Sequence, residues 1–186
     1  MSVTVRTVGF GVLVGRSNQG KLAARLGLED AFAEASGLPD GARQVVLLVE
    51  PPADAPLRGT DDDDLAALFE QLKDVVQQTQ DAVEHFQSVE TDGATMAVLL
   101  PADAALGRAN ASLAGALTDG LMSFFRTIAI ELLKDAISVN VVFYDSLDDE
   151  DAAAVGALLD AYRNAPSITG QETYTGRGPN LGKVKP

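Results

Sequence analysis

Apolar positions recur along this chain in two rhythms, and their alternation lays out the fold. Residues 3–14 (VTVRTVGFGVLV) alternate and are rich in Val, the pattern of a strand. The segment KLAARLGLEDAFAEAS that follows has helical spacing, broken by Gly27 and ended near Gly37 and Pro39. Residues 43–49 form a continuous apolar run, as in a strand covered on both faces of a parallel sheet. Glu50-Pro51-Pro52 ends it, because proline removes backbone donors. A wide apolar stripe then predicts a helix over 62–88, carrying Leu65, Leu68, Phe69, Leu72, Val75, Val76, Thr79, Ala82, Val83 and Phe86. Further strands are expected at 95–100, 137–143 and 167–173, with a helix over 147–163. Strand and helix alternate throughout, which implies an α/β fold: a doubly wound, mainly parallel, Rossmann-like sheet with helices on both faces. One domain over 1–175 and a tail over 176–186 account for the whole pattern.

The densest stretch is 110–144, NASLAGALTDGLMSFFRTIAIELLKDAISVNVVFY. Its helical part is apolar nearly all round. Leu117, Leu121, Phe124, Ile128 and Leu132 mark one stripe, and Met122, Phe125, Ala129 and Leu133 a second beside it. A surface helix needs one apolar face, so two imply cover from two sides. A sheet supplies one side, and a further helix or another chain the other.

Composition narrows the functional classes. A net charge of −13 and a pI near 4.3 argue against nucleic acid and anionic membrane surfaces, which require a basic footprint. With no cysteine there are neither disulfides nor thiolate metal sites. The apolar runs fall short of a membrane span of about 20 residues, and no basic, apolar leader pattern opens the sequence. A cytoplasmic location is expected.

Three features resemble chemical motifs. Asp61, Asp62, Asp63 and Asp64 could suggest a metal site, but carboxylates in a first helical turn satisfy free N–H groups and the positive end of the helix dipole. We read them as a cap. His85, the lone histidine, lies on the flank of the 62–88 stripe and is read as structural or solvated. Gly15-Arg16-Ser17-Asn18-Gln19-Gly20-Lys21 fits G-x-x-x-x-G-K, yet Leu22 stands where Ser or Thr would hold magnesium. Gly15, Gly20 and Lys21 therefore remain weak candidates for an anion or nucleotide, and a plain glycine turn is preferred. No G-x-G-x-x-G is spelled, no metal site is expected, and no cofactor is expected.

From Thr60 onward the chain resembles the later part of a short-chain dehydrogenase/reductase of the 3-oxoacyl reductase type, over about 125 residues. TDDDDLAALFEQLKDVVQQTQDAVEHF resembles that family's first interface helix, ATMAVLLP the strand carrying its serine, FFRTIAIELLKDAISVNVV its A-x-E helix entering an I-x-V-N strand, and SITGQETYTGRG its closing I-T-G-Q strand. The resemblance implies a catalytic tyrosine and lysine spaced Y-x-x-x-K on the 110–133 helix. An ungapped count puts Ala114 and Thr118 there; a gapped one puts Ala111 and Gly115. The serine position falls near Pro101, the helix asparagine near Gln71, and N-N-A-G becomes Val49-Glu50-Pro51-Pro52. Phe143-Tyr144-Asp145-Ser146 replaces the family's P-G. Only about 25 residues separate Gly20 from Val45, room for one helix and a turn where the family has two more strands.

These departures point to a degenerate, N-terminally truncated, non-catalytic subunit that works by assembly. The resemblance implies pairing through the two long helices, with Phe69, Leu72, Val76, Val83, Leu121, Met122, Phe125 and Leu133 at the interface. The partner is either a complete reductase, giving a hetero-oligomer, or a second copy, giving a homo-oligomer. Two alternatives stay open: a divergent NAD(P)-dependent oxidoreductase acting on acyl thioesters or ketones, and a small anion- or nucleotide-binding module using residues 15–21.

Overall fold

In the computed structural model, which describes residues 10–14, 20–30, 38–39, 41–89 and 93–176, the chain alternates strand and helix. Its first half contains β1 (Phe10–Val14), α1 (Gly20–Leu26), β2 (Glu29–Asp30), β3 (Ala42–Leu48) and α2 (Asp62–Ser88). Its second half contains β4 (Thr95–Pro101), α3 (Ala102–Leu106), α4 (Ser112–Glu131), β5 (Ser138–Tyr144), α5 (Asp149–Asn164) and β6 (Glu172–Tyr174). The strands form one sheet in the order β2-β1-β3-β4-β5-β6, and every described pairing is parallel. The α/β, doubly wound, Rossmann-like expectation is met.

Each central strand feeds two cores because successive side chains point to opposite faces. Val45, Leu47, Met96, Val98, Val139 and Val141 face α2 and α4, where they meet Val75, Phe86, Leu117, Leu121 and Phe125. Val46, Leu48, Ala97, Leu99 and Val142 face α1 and α5, where they meet Leu26, Val155, Leu159 and Tyr162. Helices α1 and α5 approach closely at Gly156, where an added Cβ would lie 3.2 Å from the Leu26 carbonyl oxygen. The apolar runs of β3 and β4 are thus explained by cover on both sides.

Helix α1 ends where Gly27 adopts φ +69°, with Gly27 N–H bonded to Ala24 O (3.3 Å) and Leu28 N–H to Ala23 O (2.8 Å). This is a Schellman stop, and it corrects the reading of 21–36 as one interrupted helix. Released by the stop, Glu29 and Asp30 pair with Val12 and Leu13 as β2. The interval therefore holds a helix and a strand rather than a helix and a turn; residues 31–37 lie outside those described, as do 3–9 of the first expected strand and 177–186 of the tail.

Helix α4 ends in the same way. A 3₁₀ turn at Leu132–Asp135 leads to Ala136, with Ala136 N–H on Leu133 O and Ile137 N–H on Leu132 O (both 3.3 Å). Here the left-handed residue is alanine, at φ +55°.

The expected strand over 167–173 forms only from Glu172 onward. Before it, Asn140 holds the incoming chain with its side chain. Its Nδ2 donates to Ile168 O (2.9 Å), and its Oδ1 accepts from Gln171 N–H (3.0 Å). Gly170 N–H bonds Val139 O at 2.8 Å. The I-S-V-N and I-T-G-Q segments are thus two halves of one clasp, and the amide takes the place of ladder bonds.

The segment Ser112–Asp135 is long and apolar enough, by length and composition, to cross a membrane, which corrects the expectation of only short apolar runs. It lies on the sheet instead, with Leu113, Leu117, Leu121, Phe125 and Ala129 buried along one ridge.

Because alanine is disfavoured in the left-handed region where glycine is at ease, Ala136→Gly is expected to stabilise the protein by up to about 1 kcal/mol. Urea unfolding followed by circular dichroism measures it, with the midpoint rising at unchanged slope.

Candidate functional site

Open parallel sheets bind ligands beyond the carboxyl ends of their strands, beside the point where strand order reverses. Here that point lies between β1 and β3. Of the phosphate-loop candidates, Gly15 lies outside the described residues, Gly20 is the first residue of α1, and Lys21 is exposed.

The carboxyl ends of β3, β4 and β5 carry the positions singled out by sequence. Past β3, Gln71 of α2, itself buried, donates its Nε2 proton to Glu50 O and ties this segment to the helix. The end of β4, Pro101, pairs with Tyr144 of β5 and passes directly into α3. Helix α3 lies over the N-terminal turns of α4. Ala104 of α3 packs with Ala111 and Ala114, and all are buried. At Gly115 an added Cβ would lie 3.5 Å from the Ala104 carbonyl oxygen. Thr118, one turn further on, is buried too. By either count, the places expected for a tyrosine–lysine pair hold small side chains, and Ala111, Ala114 and Gly115 of these lie against α3.

A latch closes over this region. Arg108 pairs with Asp54 Oδ1 at 2.5 Å and with Asp103 Oδ2 at 2.7 Å, joining the 51–60 loop to α3. Ala55 adds a parallel bridge to Ala111. Sequence reading passed over both, because an Asp-Ala-Pro loop and an isolated arginine carry no motif; their meaning lies in distances of about 50 residues along the chain.

Tyr144 is the other group sequence reading left without a role. Burial pushes its hydroxyl up to about 12, aided by the negative charges of Glu50 and Asp103. A phenol so placed stays protonated at neutral pH. A tyrosine acting as proton donor beside a lysine would be shifted the opposite way.

The remaining candidates are structural. Asp61 accepts from Asp64 N–H (3.0 Å), and Asp64 accepts from Asp61 N–H (3.2 Å), so the aspartates form a reciprocal capping box. His85 Nε2 lies 3.2 Å from Ala42 O, linking the end of α2 to the start of β3. Among the described residues no cluster of His, Asp and Glu could hold a metal ion.

The expected interface residues divide. Leu121 and Phe125 are each 1% exposed and belong to the chain's own core, which corrects their assignment to an interface. Their ridge, spaced by four residues from Leu113 to Ala129, is the one laid on the sheet. Leu72, Val83 and Met122 are half-buried, and Phe69, Val76 and Leu133 are exposed. Between α2 and α4 an apolar groove of about 390 Å³ is lined by Val76, Val83, Phe124 and Ile128, with Gln80 and Glu84 at its edge.

An acetoin dehydrogenase from Salmonella typhimurium matches this architecture with a TM-score of 0.71, at 16% identity, over 92% of this chain and 87% of its own. An NADH-dependent reductase complexed with NAD gives 0.72 at 17% identity over 96% and 98%. An oxidoreductase of the short-chain dehydrogenase/reductase family from Burkholderia thailandensis gives 0.70 at 12% identity over 94% and 93%. The fold is that of the short-chain dehydrogenases and reductases. No family model matches the sequence, and no curated protein matches it. The fold is thus carried here by a sequence only 12–17% identical to those of these structures.

Two outcomes test the crevice. Ala114→Tyr, which places an aromatic ring under α3, is expected to cost about 1–3 kcal/mol of stability through overpacking; urea unfolding measures it. Tyr144 is expected to titrate near pH 12, against 10 for an exposed phenol, in an alkaline titration read by phenolate absorbance, and Tyr144→Phe removes that late phase. Since folding raises this pKa, the stability Tyr144 contributes is whole below pH 10 and is lost as pH rises through about 12.

Proposed function

We propose that the chain is a non-catalytic subunit with a short-chain-reductase fold, acting through assembly along the outer surfaces of α2 and α4. The observation that carries this reading is the division of the two long helices. Each has an inward apolar ridge in the core, and each keeps apolar side chains outside, with Phe69 65% and Ile130 77% exposed. Val76, exposed on the same stripe of α2 as Phe69, lines the apolar groove between the two helices, and exposed apolar surface of this kind marks contact sites. The crevice supports the same reading from the other side. The positions expected for a tyrosine and a lysine hold small residues, of which Ala111, Ala114 and Gly115 lie against α3, and burial raises the Tyr144 pKa. Glu50 and Asp103 lie near Tyr144, and Arg108 is engaged by Asp54 and Asp103. The partner is a complete reductase or another copy of this chain, and neither arrangement requires a cofactor bound here.

A second reading, a divergent oxidoreductase, is favoured by the likeness of fold to an NADH-dependent reductase complexed with NAD. Titration with NADH and NADPH separates the two. The assembly reading expects no saturable change in nicotinamide fluorescence, and a particle larger than one chain by sedimentation, alone or co-expressed with a complete short-chain reductase. Saturable cofactor binding, or a monomer under both conditions, contradicts it.

A further inference from the structure

We infer that the 51–60 loop is a strap that Arg108 holds shut against α3 and the start of α4, and that salt opens it locally while the rest of the fold stays closed. The strap runs between two fixed points. At one end, Glu50 O accepts a hydrogen bond from the buried Gln71 of α2. At the other, the capping box of Asp61 and Asp64 begins the same helix. Both anchors belong to α2, so the segment between them can leave the surface without unpairing a strand or fraying a helix. No apolar burial holds it down. None of residues 51–60 is buried, and Leu57 is 73% exposed. Two of its hydrogen bonds, Gly59 N–H to Pro56 O (2.8 Å) and Thr60 N–H to Leu57 O (3.3 Å), are internal and travel with it. Between the anchors it is tied by the Asp54–Arg108 ion pair at 2.5 Å and by the bridge of Ala55 to Ala111. A segment with few buried contacts and exposed ties belongs to the low end of local stability.

The way Arg108 divides its bonds makes opening cheap. Its Nη2 holds Asp54 on the strap, while its Nη1 holds Asp103 of α3 at 2.7 Å. When the strap lifts, the guanidinium keeps Asp103 and the Asp54 carboxylate passes into water, so neither charge is left buried and alone. The side chains of Asp54, Asp103 and Arg108 are each 45–46% exposed, which leaves the Asp54 pair open to screening. The screening length falls from about 10 Å at 0.1 M salt to about 3 Å at 1 M. Pro51, Pro52 and Pro56 restrict the backbone of the lifted strap, which therefore loses little entropy on closing again. Beneath the bridge lies Ala111, 5% exposed, at the start of α4. Opening uncovers that end of the helix, so salt presents or withholds it. Assembly along the outer surfaces of α2 and α4 is not required for this motion.

Arg58, exposed in the middle of the strap, gives trypsin a site that fits the protease only when the segment stands free. Brief digestion of the intact protein, with cleavage after Arg58 read by mass spectrometry, is compared at about 0.1 M and about 1 M sodium chloride. A free peptide of the strap sequence supplies the reference rate at each salt. Cleavage relative to that peptide is expected to rise by up to about fivefold at high salt, the range of an exposed ion pair. Arg108→Gln is expected to reach the faster rate already at low salt and to lose the salt dependence, with its urea midpoint unchanged. Asp54→Asn, which leaves Arg108 paired with Asp103, is expected to do the same. Cleavage that neither salt nor either substitution alters overturns the inference. So does cleavage that rises only together with a fall in the urea midpoint, because the whole chain and not the strap is then what opens.

Discussion

Helix α4 must be covered on more than one side, and the sheet can cover only one. That constraint organises the molecule. The ridge from Leu113 to Ala129 lies on the sheet face that α4 shares with α2, and the end of the helix turns directly into β5 through a left-handed alanine. Strand β5 then sets the last part of the fold, because Asn140 supplies the bonds that hold residues 168–171. On the far side, Arg126 pairs with Glu172, and Tyr174 stacks on Phe143 with ring centroids 4.4 Å apart, which anchors β6 to the same helix and strand. What remains of α4 is an outer surface that shares a groove with α2. In the proposed assembly a partner covers that surface.

The crevice shows the complementary economy. Beyond the carboxyl end of β4, α3 packs on the first turn of α4 through Ala104, Ala111 and Ala114. The closing elements are modest one by one. Arg108 is about half exposed, so its two ion pairs contribute little to global stability. Their effect is to fix the 51–60 loop against α3, and Gln71 fixes its beginning. Burial, with the charges of Glu50 and Asp103, raises the Tyr144 pKa, so its phenol stays protonated at neutral pH.

The fold class was legible because its signals are local and periodic. Continuous apolar runs flagged the buried strands, and Asp61 flagged a helix start, seen as a side-chain cap; Asp148 caps α5 in the same manner. The errors have physical causes. Gly27 reads as a blemish in a helix until its hydrogen bonds show it to be a stop, so β2 was missed. The clasp of Asn140 replaces a strand with side-chain bonds, and no period marks it. Leu121 and Phe125 looked like interface residues because helical spacing shows that two faces are apolar without showing which one meets the sheet. The candidate site was legible only as a set of substitutions. That α3 and Arg108 close it depends on contacts between distant segments, which residue spacing does not encode.

The central claim, that the protein acts through its α2–α4 surface and not through its crevice, is tested most directly by hydrogen exchange read by mass spectrometry. Exchange is compared between associated and diluted protein, and with and without NADH. Protection on association confined to peptides of α2 and α4, with no change around Glu50, Arg108 and Tyr144 when NADH is added, is the predicted result. Protection of the crevice by NADH, with α2 and α4 exchanging alike at all concentrations, would contradict it.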